Sequence, residues 1–379
     1  MPLDPFFAER LRVHRRYLLG QAVGSARSRL AALWPFSRPS APPSPKAPLS
    51  PRARHRRAAL AWDRTELRTV GTPGPDLPTS EHEVAAEPSF RVRVYRPTLA
   101  ENPLPAVLAF FGGAFRIGGI DYPTTDAAFR RRAQDAGVVI VAVDYALAPE
   151  QRYPVQVEQA YRALEWLFAQ ADDLGIDRDR IAVAGTSAGA NLAAALTLVN
   201  RDRAAMPLRL QLLEVPVTDL TGRHLDLRAT RALGIPSIIA LRELRSVART
   251  YLGEAGNARE PYASPLRAPS HAGLPPAVIL TAEYDPLRGD GAAYGAALRA
   301  AGVDASVAQY LGVTHDTPLF TGALPAARRW HDDVVAALRR LHAGTPETVA
   351  TAAPTATEDP DTPSRTSKSG RNPRDSADS

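Results

Sequence analysis

The sequence predicts an α/β protein with a mostly parallel central sheet flanked by helices. Two observations carry this expectation. Short apolar runs alternate with longer helical patterns, as chained βαβ units require. One of the runs, VVIVAV within residues 138–144, is apolar without a break, as a parallel strand buried on both faces must be. A length of 379 residues, 45% hydrophobic and 23% charged, supplies enough apolar material for a large core.

Taken in order, the apolar runs predict strands over residues 90–95, 106–111, 138–144, 181–184, 208–215, 277–282 and 305–310. Helices are expected around 157–170, 188–200, 291–301 and 324–341. The stretch 218–253 interrupts this rhythm with two weak helical patterns and no strand, so it reads as an insertion over the sheet. With residues 52–85 it is expected to form a helical cap on a single domain of residues 52–343.

The two ends differ in composition from this body. Residues 1–51 read as a basic, proline-rich leader that includes the spacer WPFSRPSAPPSPKAPLSP, and residues 344–379 as a disordered tail rich in Thr, Ser, Pro and Asp. The net charge of +6 is uneven: residues 1–60 hold 12 Lys/Arg against 2 Asp/Glu, leaving 34 against 38 in the rest. The positive excess therefore lies in the leader and not on a folded face with interleaved aromatics, which argues against nucleic-acid binding. His14-Arg15-Arg16-Tyr17-Leu18-Leu19 invites a twin-arginine export reading, but the apolar stretch behind it is short and broken by Arg27 and Arg29. An uncleaved leader and a cytoplasmic location are expected, with weak association of the leader with anionic lipid left open. No cysteine is present, which excludes disulfides and thiolate metal sites, and no cofactor or metal is implied.

Chemistry concentrates at Gly185-Thr186-Ser187-Ala188-Gly189, which follows the run IAVA and opens an alanine-rich helix. A serine on a sharp strand-to-helix turn needs small neighbours so that strand and helix can approach, and the helix amino terminus favours developing negative charge. A serine nucleophile also needs a base held by an acid, and after such a turn the chain order is serine, then acid, then histidine. His315 lies in LGVTHDT just past a strand, whereas His331 and His342 sit in an amphipathic helix as solvated surface groups and His271 precedes the acid. For the acid, Asp285 in AEYDPL is favoured over Glu283 and over Asp290, the latter expected to cap the next helix.

With these parts in order, the chain resembles the hormone-sensitive-lipase-like branch of the α/β-hydrolases, in its GTSAG variety. The resemblance rests on VDYALAPE (143–150), GTSAGAN (185–191), PVTDL (216–220), PYASPLR (261–267), AEYDPLR (282–288) and GVTH (312–315), with LSPRAR (49–54) similar to the start of the family's amino-terminal cap. It implies the α/β-hydrolase fold, with Ser187, Asp285 and His315 as nucleophile, acid and base. Gly112, Gly113, Ala114 and Ala188 would then supply the oxyanion hole. The family's oxyanion turn reads His-Gly-Gly-Gly, whereas here it is the degenerate Phe111-Gly112-Gly113-Ala114. Gly289 and Asp290 replace the usual Asp-Glu, and Asp316 replaces a glycine after the histidine. An alanine forced to positive φ at position 114 would cost on the order of 1 kcal/mol.

The expected function is hydrolysis of short to medium acyl esters through a Ser-His-Asp triad and an acyl-enzyme, with a small ester as partner. A homodimer stays open. Two other readings share these features: a non-catalytic small-molecule binder on the same fold, and hydrolysis of an amide or lactone by the same triad.

Overall fold

The computed structural model describes residues 1–13, 50–98, 103–254 and 256–343. Most of the expected leader and the expected tail lie outside the described residues. Residues 5–13 are helical (α1). The elements that follow are α2 (Pro51–Thr69), β1 (Thr79–Val84), β2 (Phe90–Tyr95), β3 (Leu104–Phe110), α3 (Pro123–Ala136), β4 (Val139–Val143), α4 (Val155–Ala169), β5 (Ile176–Thr186), α5 (Ala188–Arg203) and β6 (Leu210–Glu214). They continue with α6 (Leu227–Ala232), α7 (Ser237–Leu252), β7 (Ala277–Ala282), α8 (Arg288–Ala300), β8 (Ala305–Tyr310) and α9 (Pro325–Arg339).

The eight strands form one sheet in the order β1-β2-β4-β3-β5-β6-β7-β8. Only the β1–β2 and β2–β4 pairings are antiparallel, so the sheet is parallel from β4 onward. β3, β4 and β6 are buried along their whole length, because helices cover both faces. All of α5 from Ala188 to Asn200 is buried, and its run of alanines lets it lie close on the sheet.

Three expectations change here. The first 13 residues are not a detached leader. Phe7 is buried, and Phe6 and Phe7 pack on Phe320 with ring centroids 5.1 and 5.5 Å away, while Arg10 bonds Glu66 at 2.7 Å. Part of the expected cap, residues 79–84, belongs instead to the sheet as its edge strand, a position where TSEHEV can leave most side chains in solvent. Helix α3 was absent from the expected elements because FRRRAQD shows no clear apolar stripe; Arg132, a charged residue, occupies one of its buried positions. Over residues 218–253 the structure has α6 and α7 and no strand.

Candidate active site

Ser187, Asp285 and His315 lie beyond the carboxyl ends of β5, β7 and β8, the edge of a parallel sheet where ligands gather. Ser187 sits between β5 and α5 at φ 56° and ψ −114°, a strained conformation for a residue with a side chain. The neighbouring glycines explain how the chain tolerates so sharp a turn. A Cβ at Gly185 would come within 2.2 Å of the Gly189 carbonyl oxygen, and one at Gly189 within 2.2 Å of that of Phe110. Strand, turn and helix thus meet at a distance only glycine permits.

His315 Nε2 is 3.0 Å from Ser187 Oγ, and His315 Nδ1 is 2.7 Å from Asp285 Oδ2. Asp285 is buried and accepts the Leu287 N–H through its other oxygen at 2.9 Å. Burial by itself would lower the imidazole pKa, but the adjacent Asp285 carboxylate, helped by Asp316, outweighs it and pushes the value up to about 9. The alternatives have other partners. Glu283 accepts the Gly312 N–H at 2.6 Å, His331 pairs with Asp135 at 2.8 Å, His342 meets the Ala136 carbonyl at 2.9 Å, and His271 meets that of Pro265 at 3.0 Å. His331 is therefore a half-buried, paired group and not the solvated one expected.

Asp290 does not cap its helix. It lies inside α8, fully buried, and its Oδ2 accepts the N–H groups of Thr218 and Asp219, each at 2.9 Å. Burial pushes its pKa up to about 7. Its work is to hold the start of the inserted segment, an assignment that only the fold makes visible.

The turn expected to form the oxyanion hole keeps free backbone N–H groups. Gly113, Ala114 and Phe115 all have positive φ, at 139°, 53° and 59°. Among the described residues, the N–H groups of Gly113, Ala114 and Ala188 donate to no protein acceptor. Gly112 lies against Ser187, where a Cβ would stand 3.4 Å from that of the serine. Where the family's histidine would brace the turn, Phe111 stacks on Tyr145 with centroids 4.2 Å apart, and Tyr145 Oη donates to the Phe111 carbonyl at 2.8 Å. Phe115 is buried against Tyr251, with centroids 3.8 Å apart, and its carbonyl accepts the Ala148 N–H at 2.8 Å. Two aromatic stacks thus hold a turn that a polar brace would otherwise hold.

A model of the α/β hydrolase fold matches residues 107–319, more than half of the chain. The chain belongs to the α/β-hydrolase family, in its hormone-sensitive-lipase-like branch. It is 36% identical over 289 residues to the carboxylesterase NlhH of Mycobacterium tuberculosis, covering 74% of this chain and 89% of that protein. It is 37% identical to an ethyl acetate hydrolase of Pseudomonas putida over 59% of this chain and 70% of that one. Among solved structures, it is similar to EstE1, a thermostable carboxylesterase cloned from a metagenomic library. The TM-score is 0.70 at 35% identity, over 77% of this chain and 98% of that one.

Beneath the elbow of this hydrolase lies a charged network that sequence reasoning missed. The β5–β6 register sets Thr186 beside Glu214. Glu214 is 1% exposed and accepts from Arg132 Nη2, from Trp330 Nε1 at 2.7 Å and from Thr186 Oγ1 at 3.0 Å, while its carbonyl accepts the Ser187 N–H at 2.8 Å. In the sequence Glu214 was one polar letter inside an apolar run. A buried acid of that kind must find partners, which was the only available signal.

A cavity of about 360 Å³ opens beside Ser187 and His315, roofed by Trp62 and Leu67 of α2 and walled by Phe111, Ile117 and Leu319. Among the described residues, no helix is long and apolar enough to cross a membrane.

Proposed function

We propose that this α/β-hydrolase is a serine carboxylesterase for short to medium acyl esters. The continuous hydrogen-bond chain from Ser187 through His315 to Asp285 carries the reading. Ser187 Oγ attacks the ester carbonyl carbon while His315 Nε2 takes its proton. Asp285 keeps the imidazole in the tautomer with the proton on Nδ1 and stabilises the imidazolium that forms. The carbonyl π electrons move to oxygen, and the N–H groups of Gly113, Ala114 and Ala188 hold that charge, with Gly112 giving the intermediate room against the nucleophile. Collapse expels the alcohol oxygen, which takes the proton from His315, and leaves an acyl-serine. Water activated by the same histidine then releases the acid and restores Ser187.

The apolar lining and the size of the cavity favour an acyl group of modest length. Replacement Ser187→Ala should lower hydrolysis of p-nitrophenyl butyrate by a factor on the order of a million. A fluorophosphonate should label the wild type and spare the variant. Undiminished turnover by the variant would refute the proposal, and a folded wild type that neither labels nor turns over any ester would mark a binding protein.

A further inference from the structure

The cavity beside Ser187 is mainly apolar, yet its wall carries two adjacent arginines of α3, Arg131 and Arg132. Glu214 neutralises Arg132 at 2.8 Å. Arg131 has no such partner. One of its terminal nitrogens donates to the Thr72 carbonyl, its Nε is buried without an acceptor, and it forms no ion pair among the described residues. The carboxylates nearby are engaged or exposed. Asp63, in the same cavity, accepts from the Thr124 N–H and hydroxyl, Asp135 bonds His331, and Asp316 faces solvent. Burial, reinforced by the neighbouring charge of Arg132 and partly opposed by the Asp135 carboxylate, lowers the Arg131 pKa to about 10, which still leaves it cationic near neutral pH.

A guanidinium without a direct ion pair in a half-buried, mostly apolar cavity is under-solvated, and a planar anion on it would relieve this. We propose that this cavity selects esters that themselves bear a carboxylate, with Arg131 holding that group while Ser187 attacks the ester. The inference rests on the esterase reading above and adds the substrate class to it. A monoanion suits the site, because Arg131 is the one guanidinium of the cavity wall without a direct carboxylate partner among the described residues, while Asp63 and Asp316, which also line the cavity, disfavour a second negative charge.

The test compares charged esters with uncharged counterparts of the same shape. Monoethyl succinate, glutarate and adipate place the carboxylate in the acyl half, and 3-acetoxypropanoate places it in the alcohol half; each is paired with its primary amide. The wild type should favour at least one acid over its amide by roughly ten- to a hundredfold in kcat/KM. Within each enzyme the ratio is its own control. Arg131→Met should bring that ratio close to one or below, and Arg131→Lys should keep part of it. A wild type that prefers every amide overturns the proposal even if neither variant folds, as does a ratio that Arg131→Met leaves unchanged. Failure to hydrolyse any ester, with no fluorophosphonate labelling, would instead overturn the esterase reading.

Discussion

Glu214→Gln tests the network beneath Ser187. The substitution keeps the side chain's shape but removes the charge that Arg132, 9% exposed, faces at 2.8 Å. Arg132 has no other carboxylate partner among the described residues, and its Nε is already buried without an acceptor. Removing one member of a buried ion pair costs about 3–5 kcal/mol, because the other charge is left buried and alone. At about 2 cal/mol/K of unfolding entropy per residue, a domain of this size would lose about 5–8 °C in Tm. Ser187 is anchored to the Glu214 backbone carbonyl, which the substitution leaves in place. Thus kcat should fall by less than about tenfold, far less than a displaced nucleophile would give.

Thermal unfolding followed by circular dichroism, with turnover of p-nitrophenyl butyrate alongside, provides both readouts. Adding Arg132→Met removes the stranded cation and makes Glu214 the unpaired buried group, so in that background Glu214→Gln should be neutral or stabilising. A fall of less than about 2 °C in the single variant, or strictly additive effects in the cycle, would refute the reasoning.

Three further outcomes follow from the site. Tyr145→Phe removes the hydroxyl that holds the Phe111 carbonyl and should lower stability by about 1–3 kcal/mol, measured by urea unfolding, with kcat falling more than KM changes. The pair Phe111→His and Ala114→Gly should leave kcat within about threefold. The aromatic stacks already hold the turn, and relief of about 1 kcal/mol of strain at Ala114 is offset by a similar loss of backbone entropy. Because His315 must be neutral to act as base, kcat/KM should rise with pH along an acid limb centred above 6.5, and Asp285→Asn should move that limb down. The stability term runs the other way: with the folded pKa raised, the His315–Asp285 pairing stabilises fully below pH 6.5 and is lost as pH rises through the folded value. A wild-type limb centred below 6.5 would contradict the assigned environment.

The sequence by itself determined the parallel α/β architecture and the strand-turn-helix context of Ser187, since unbroken apolar runs, small residues around a serine and chain order are local properties. It also carried the candidates Asp285 and His315 to loops past two strands, which the structure places 2.7 and 3.0 Å apart along one hydrogen-bond chain with Ser187. Tertiary structure alone decided what the polar letters in apolar or charged settings do. Glu214 becomes the acceptor for an arginine, a tryptophan and a threonine drawn from α3, α9 and β5, and Asp290 ties down a loop some seventy residues earlier in the chain. The degenerate turn belongs to the same class: Phe111 reads as a lost histidine until Tyr145, from beyond the next strand, is seen stacked on its ring and bonded to its carbonyl. Burial sets the energy of each such group through neighbours distant in sequence, and no local pattern records which neighbours those will be.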